Sequence, residues 1–237
     1  MLYLIGLGLN EQGISKQGLL ALEKCKKVYL EGYTVDFPYK TTDLHLGKRK
    51  HKIIRLGRGD VESQKLIKEA KSTKIALLVY GSPLFATTHM SLLLDAQKEG
   101  VRTKVIHSAS IFDAVAETGL QLYKFGKITS MPKWGTNFEP DFTHYILENQ
   151  SIKAHSLILI DIGLEYPKAL IQLRENMNKT KVKYNKIAVC SKLGTENQQI
   201  HYNTLEELKK KKVEKPYCFI IPEDMHFLEQ ESLERFT

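Results

Sequence analysis

Three loops rich in glycine and serine contain the residue types that would let a ligand approach the backbone. They are residues 6–10 (GLGLN), 81–89 (GSPLFATTH) and 108–111 (SASI). Each follows an apolar run that predicts a buried strand, and small residues at such a turn leave the main chain open to close contact. The alternative for each loop is a tight turn or a helix cap without a ligand, and both interpretations stay open from residue types alone.

The first loop contains only part of a dinucleotide-binding fingerprint. Gly6 and Gly8 match the first two glycines of G-x-G-x-x-G, but Glu11 stands where the third glycine belongs. The pattern therefore argues against NAD binding. The sequence also contains no G-x-S-x-G, Walker A, H-E-x-x-H or paired C-x-x-C motif, which disfavours hydrolase, P-loop kinase and zinc-enzyme functions.

Three side chains near these loops are candidates for accepting a proton during catalysis: Glu31, Tyr33 and His89. All three residue types serve as general bases in enzymes. A lone histidine is more often structural, however, and no second His or acid stands at metal-ligand spacing from His89. We therefore expect no metal site, and the identity of any general base stays open.

Strand and helix signals alternate around the loops. Apolar runs predict strands at residues 2–8, 28–30, 75–80 and 102–106, with helices at 15–26, 60–71 and 88–98. This order is typical of a parallel sheet covered by helices. Because ligands of such sheets bind beyond the carboxyl ends of the strands, we expect the three loops to meet at one edge of the sheet.

The second half of the chain repeats the alternation less regularly. Strands are predicted at residues 156–162, 187–190 and 217–221, and helices at 167–177, 204–212 and 225–236. Because the alternation restarts near residues 108–114, we predict two α/β domains, residues 1–110 and 111–237. Residues 119–126 (GLQLYKFG) mix aromatic residues with glycines, which indicates a loop or interdomain element with a packing role and no chemistry of its own.

The composition is that of an ordinary globular protein with a basic balance. The 237 residues are 42% hydrophobic and 26% charged, with a formal net charge of +8. No apolar run approaches the roughly 18 residues that a membrane span needs, and the apolar opening lacks the basic front of a signal peptide. The three cysteines are far apart in sequence, so we expect no disulfide framework and a reducing, cytoplasmic location.

Two lysine-rich runs, residues 48–52 and 209–212, are the densest stretches of positive charge. A basic balance favours an acidic partner surface, although most charge runs are solvated faces. The single tryptophan, Trp134, stands in a polar stretch with Phe138 and Phe142. This group marks either a binding surface or part of a core.

Taken together, these stretches resemble the diphthine synthase family of tetrapyrrole-methylase-like methyltransferases. The resemblance rests on residues 1–9 (MLYLIGLGL), 28–34 (VYLEGYT), 81–89 and 105–126, with a looser match at 157–162 (LILIDI). Each motif alone is weak, but their order and spacing are specific. The resemblance implies two α/β domains of the tetrapyrrole methylase type, S-adenosyl-L-methionine in the interdomain cleft, and usually a homodimer.

The resemblance also implies a reaction and a set of cofactor contacts. Members methylate the amine of an aminocarboxypropyl group on one histidine of translation elongation factor 2, with S-adenosyl-L-homocysteine as the cofactor product. Eukaryotic members also methylate a carboxylate, whereas this short chain looks more like the archaeal form, which stops at the trimethylammonium. Carried over residue by residue, the cofactor contacts would be Leu9, Ser82, Phe85, Ser110, Ile111, Ile160, Leu193 and Cys218.

Three positions depart from the family pattern. Ser82 stands where the family usually has Asp, Ser108 where it has Asn, and Cys218 where it has His. Serine cannot balance the positive sulfonium, so we expect weaker cofactor binding than is usual in the family. The alternatives are a related methyltransferase acting on tetrapyrroles or RNA, although no nucleic acid partner is expected, and an inactive S-adenosylmethionine-binding homologue.

Overall fold

The computed structural model describes residues 1–47, 52–133 and 142–237. The chain divides into two compact units, residues 1–113 and 114–237. Within the described residues, each unit contains one five-stranded sheet and helices that pack around hydrophobic clusters. The predicted α/β fold class is confirmed.

The first unit is built on a parallel sheet. Its strands are β1 (Leu2–Gly6), β2 (Lys27–Glu31), β3 (Ile53–Leu56), β4 (Ile75–Val79) and β5 (Thr103–Ile106), in the order β3-β2-β4-β1-β5. Alternate residues of β1 pack into different clusters, Leu2 and Leu4 into one and Tyr3 and Ile5 into another. The sheet is therefore covered on both faces, as is usual for parallel sheets.

The helices of this part of the chain are α1 (Lys16–Leu22), α2 (Arg58–Val61), α3 (Lys65–Ser72), α4 (His89–Lys98) and α5 (Ile111–Ala114). Ser15 caps α1 by accepting a hydrogen bond from Gly18 N at 3.1 Å. The single helix predicted over residues 60–71 was wrong, because Asp60 lies inside α2 and a separate helix begins at Lys65. β3 was not predicted, since its partly exposed side chains form no clear apolar run.

The second unit contains a mixed sheet. Its strands are β6 (Thr129–Met131), β7 (Ser156–Ile160), β8 (Ile187–Ser191), β9 (Gln199–Asn203) and β10 (Tyr217–Ile221), in the order β6-β7-β10-β8-β9. β6 runs parallel to β7, and the other pairs are antiparallel. The connection from β8 to β9 is too short for a crossover helix, so these two strands form a hairpin.

The helices of the second unit are α6 (Phe142–Ser151), α7 (Tyr166–Thr180), α8 (Leu205–Leu208) and α9 (Phe227–Glu234). α8 is shorter than predicted, and residues 209–212 follow it. Phe142 is buried, which gives this aromatic residue a core role, whereas Trp134, Phe138 and residues 48–51 lie outside the described residues. In the described ranges, no helix is long and apolar enough to cross a membrane.

Candidate functional site

The carboxyl ends of β1, β4 and β5 meet in the first unit. Gly8 N donates a hydrogen bond to Gly81 O at 3.2 Å, and Gly81 N donates to Gly8 O at 3.0 Å. Ser108, which follows β5, donates its hydroxyl to Gly13 O at 2.8 Å. The predicted convergence of the three loops at one sheet edge is therefore confirmed.

Two glycines of the first loop leave no room for a side chain. A Cβ atom on Gly6 would lie 2.6 Å from Gly81 O and 3.0 Å from Ser108 N. Gly8 has a φ of 71°, and its Cβ would lie 2.7 Å from Gly13 O. Glycine meets these demands without backbone movement, so glycine at these two positions lets the loops pack closely against each other. We call the loops around Gly6, Gly8, Gly81 and Ser108 the glycine cradle.

Ser82 is buried directly after the cradle residue Gly81, and its hydroxyl lies 3.2 Å from His107 Nδ1. His107 follows β5 and is exposed. Sequence reasoning missed this partner because the two residues belong to different strand ends. The hydroxyl–imidazole pair stands where the resemblance led us to expect a carboxylate.

Ser110 is also buried, and it is tied to Asp113. Asp113 Oδ2 accepts hydrogen bonds from Ser110 N at 2.7 Å and from Ser110 Oγ at 3.0 Å. Ser110 Oγ accepts one from Phe112 N at 3.2 Å. This reciprocal arrangement begins α5 at Ile111, and the Ser-x-x-Asp spacing is the sequence signal that could have revealed Asp113.

The remaining predicted contacts of the first unit differ in exposure. Leu9 is buried next to the cradle, whereas Phe85 is 46% exposed. The Phe85 ring meets that of Phe112 edge to face, with 5.2 Å between ring centroids. Phe85 therefore offers an accessible aromatic surface beside α5, of the kind that packs against a flat or apolar ligand.

The predicted contacts of the second unit, Ile160, Leu193 and Cys218, lie on or beside neighbouring strands. Ile160 ends β7, Leu193 follows β8, and Cys218 on β10 stands opposite Cys190 on β8. Contact with the Cys218 thiol and burial raise the pKa of Cys190. Leu193 and Cys218 are buried, and Ile160 is half-buried.

The position of Glu31 favours a structural role over a role in proton transfer. The residue is fully buried, and its Oε1 accepts hydrogen bonds from Tyr33 N at 2.6 Å and Thr34 N at 2.8 Å. Its Oε2 accepts a further bond from Thr34 Oγ1 at 2.6 Å. Both carboxylate oxygens are therefore engaged in holding the loop after β2.

His89 is buried at the start of α4. Its Nδ1 lies 2.9 Å from Pro83 O, and because a carbonyl oxygen only accepts, Nδ1 donates this bond. The ring meets that of Tyr33 edge to face, with 6.4 Å between centroids. Among the described residues, no cluster of three or more His, Cys, Asp or Glu side chains is arranged to hold a metal ion.

Residues 119–126 (GLQLYKFG) hold the carboxyl-terminal helix. Gln121 N and Lys124 Nζ donate hydrogen bonds to the buried carboxylate of Glu229 at 2.8 and 2.5 Å. The predicted packing role of this stretch is thus confirmed, but it depends on an ion pair between the partly buried Lys124 and the buried Glu229 that the sequence did not reveal.

Comparison with known proteins identifies the family. The family model for tetrapyrrole (corrin/porphyrin) methylases matches residues 1–209. A diphthine synthase from Methanothermobacter thermautotrophicus is 36% identical over 98% of this chain and 94% of its own length. A diphthine methyl ester synthase from Schizosaccharomyces pombe is 32% identical over 100% of this chain and 94% of its own.

A solved structure gives the same result. The crystal structure of a diphthine synthase superposes with a TM-score of 0.89 at 32% identity, covering 100% of this chain and 95% of that one. These similarities extend over nearly the whole chain, so the predicted assignment to a methyltransferase family is confirmed. The chain belongs to the tetrapyrrole methylase family and, within it, to the diphthine synthases.

Proposed function

We propose that this chain transfers methyl groups from S-adenosyl-L-methionine to the amine of an aminocarboxypropyl group on a histidine of translation elongation factor 2. The observation that carries the proposal is the glycine cradle, which joins three loops at one sheet edge in a chain related to diphthine synthases. The cradle fits such a cofactor at Gly81, because a Cβ added there would meet nothing beyond its chain neighbours closer than 3.8 Å, which leaves room for a ligand beside the backbone. The bound cofactor would supply the activated methyl group.

The protein's own task in this reaction is to hold the two reactants in line. We assign cofactor binding to the residues that the family resemblance indicates: Leu9, Ser82, Phe85, Ser110, Ile111, Ile160, Leu193 and Cys218. In the first unit, buried Ser82 and Ser110 supply hydroxyl groups, and Phe85 supplies an exposed ring. The fixed cap between Ser110 and Asp113 supports this arrangement, because it holds the Ser110 backbone in one position.

We further propose that the chain adds three methyl groups to the amine and forms no ester. Incubation with cofactor and elongation factor 2 carrying the aminocarboxypropyl group should give a trimethylated histidine product in mass spectrometry. Factor with an unmodified histidine is the control and should gain nothing. An additional alkali-labile methyl group would indicate the activity for which the Schizosaccharomyces pombe relative is named, and labelled methyl on RNA would contradict the proposed substrate.

Neither Glu31 nor His89 is expected to act as the general base. Glu31→Gln and His89→Ala should change kcat less than about tenfold and leave the shape of its pH profile intact, because Glu31 is engaged in its own loop and His89 is buried. An amine whose pKa is lowered by burial needs no side-chain base. Single-turnover rates across a pH series check this, and loss of one limb of the profile in either variant would identify that residue as the base.

Ser82→Asp is expected to raise affinity for S-adenosyl-L-methionine by about tenfold, because a carboxylate would attract the sulfonium in a buried position. Isothermal titration measures the change. Ser82→Asn is the matched control, since it adds similar volume without charge. Equal affinities for the two variants would contradict a role for charge at this position.

We also propose that the protein works as a homodimer in the cytoplasm and docks on an acidic face of its substrate. The formal net charge of +8 supports docking of this kind. In the run at residues 209–212, Lys210 and Lys212 pair with Glu207 and Glu214 but remain exposed. The molecular mass from light scattering tests the homodimer. If docking is electrostatic, the KM for the protein substrate should rise with salt while cofactor affinity stays constant.

A further inference from the structure

A second group of polar side chains lies at the same sheet edge, on the segments that follow β2, β3 and β4. It consists of Tyr33, Arg58, Glu62, Thr88 and His89, and we call it the Tyr33 cluster. None of its members is among the cofactor contacts assigned above. In the strand order, β2 and β3 lie on the side of β4 away from β1 and β5, and the segment after β4 carries Gly81 of the glycine cradle as well as Thr88 and His89.

Opposite charges are neighbours in the Tyr33 cluster. The Arg58 guanidinium lies over the Tyr33 ring, 5.4 Å from its centroid, and Arg58 Nε is 3.8 Å from Glu62 Oε1. Thr88 donates its hydroxyl to the same Glu62 oxygen at 3.3 Å. The distance between Arg58 and Glu62 is long for an ion pair, and the two side chains are 66% and 43% exposed. An exposed pair of this kind is weak, so both charges remain accessible to a ligand.

One buried polar atom of the cluster, His89 Nε2, has no hydrogen-bond partner among the described residues, whereas Tyr33 Oη lies beside Thr88. Buried polar atoms are nearly always paired, so His89 Nε2 is a candidate to bind a ligand or a water molecule. His89 is 1% exposed and lines a cavity of about 10 Å³, whose wall also includes Glu62 and Thr88. A cavity of this size holds one water molecule, so His89 would reach a larger ligand through water.

We propose that the Tyr33 cluster binds an α-amino acid group, which carries a carboxylate and an ammonium on one carbon. The Arg58 guanidinium matches the carboxylate, and the Glu62 carboxylate matches the ammonium. Tyr33 adds a hydroxyl and a ring face that attracts a cationic amine, including a methylated one. A ligand with both charges would engage Arg58 and Glu62 together, whereas a simple anion or cation would be repelled by one of them.

This inference rests on the proposed function, in which two reactants carry an α-amino acid group. One is the aminocarboxypropyl group of the substrate, and the other is the methionyl part of the cofactor. Because β2 and β3, which precede Tyr33, Arg58 and Glu62, lie on the side of β4 away from β1 and β5, we assign the cluster to the substrate.

The variants Arg58→Gln, Glu62→Gln and Tyr33→Phe test the assignment. Each should raise the KM for elongation factor 2 carrying the aminocarboxypropyl group by about tenfold or more, because each removes a hydrogen bond or charge from the ligand. The Kd for S-adenosyl-L-homocysteine, measured by titration, should stay within about twofold of wild type. Lys65→Gln is the matched control, since it removes a positive charge from an exposed pair with Asp60 on the adjacent helix.

The two measurements separate the possible ligands. Weaker binding of S-adenosyl-L-homocysteine in the same variants would contradict the assignment to the substrate and identify the cofactor as the ligand of the cluster. Wild-type values of both constants in all three variants, with an active wild-type enzyme, would overturn the proposal. A wild-type protein that neither binds S-adenosyl-L-homocysteine nor methylates the factor would overturn the proposed function instead. Circular dichroism of each variant checks folding, which the exposed positions of Arg58 and Glu62 should preserve.

Discussion

Glu229→Gln is expected to lower the free energy of unfolding by about 3 kcal/mol, because it removes a buried carboxylate from its ion pair with the partly buried Lys124. Glu229 is 0% exposed on α9 and accepts four hydrogen bonds. The donors are Gln121 N, Lys124 Nζ, His155 Nε2 and His226 N. A glutamine amide would turn two of these four contacts into donor–donor repulsion.

Urea denaturation followed by circular dichroism measures the loss. Glu234→Gln is the matched control, because Glu234 lies on the same helix and pairs with Lys186 at 2.9 Å in an exposed position. Removing an exposed pair should cost about 1 kcal/mol or less. If the two variants were equally stable, the buried carboxylate would not be what holds α9 in place.

The same carboxylate gives stability a defined pH dependence. Burial alone would raise the pKa of Glu229, but the hydrogen bonds from Gln121, Lys124, His226 and His155 outweigh it and lower the pKa to about 2. Because this value lies below the ordinary 4.5, the unfolded chain binds the proton more tightly. The contribution is therefore fully present above pH 4.5 and is lost as the pH falls towards 2. Glu229→Gln should flatten the stability curve in that range.

His155 adds a second acid-sensitive step at higher pH. Burial lowers the pKa of this histidine below its ordinary value of 6.5, and the Glu229 carboxylate only partly offsets the effect. The neutral ring fits its surroundings, since Nδ1 accepts a hydrogen bond from Glu223 N at 2.9 Å while Nε2 donates to Glu229. The unfolded chain gains a proton first, so stability is present above pH 6.5 and declines as the pH falls below it.

The sequence was sufficient to predict the convergence of the loops, because the β-α-β order determines where strand ends lie in a parallel sheet. It was insufficient where one side chain meets another that is remote in sequence. Lys124 and Glu229 are 105 positions apart, and Ser82 and His107 are 25 apart on different strand ends. Residue type and periodicity contain no information about such partners.

Glu31 shows a related limit. A carboxylate beside a predicted ligand-binding edge is a reasonable candidate for catalysis, yet three donors from its own loop surround it. Those donors come from residues two and three positions later in the chain. The structural role of Glu31 is therefore local in sequence, but it depends on the backbone conformation of the loop. Whether a polar residue faces a ligand or its own loop is decided by backbone geometry, which residue type does not specify.

Gly6→Ala is expected to lower kcat/KM by about 100-fold, because displacing the cradle by even a fraction of an ångström misaligns the reactants. The new Cβ would lie 2.6 Å from Gly81 O and 3.0 Å from both Ser108 Cβ and Ser108 N. Two of these three atoms are backbone, so the contacts are relieved by moving the loops that carry Ser82 and Ser110. Overpacking of this kind also costs about 1–3 kcal/mol of stability.

Gly59→Ala is the matched control, because a Cβ at that position has no heavy atom within 4 Å. Thermal denaturation with and without S-adenosyl-L-homocysteine separates the two effects of Gly6→Ala. The Tm without ligand measures the stability lost to overpacking. The ligand-induced shift of Tm measures cofactor binding at the glycine cradle. A ligand-induced shift of Tm in Gly6→Ala as large as in the wild type would mean that cofactor binding does not depend on this edge of the sheet. A lost shift in Gly6→Ala and a normal one in Gly59→Ala would tie cofactor binding to the close approach of β1, β4 and β5, for which glycine is required at position 6.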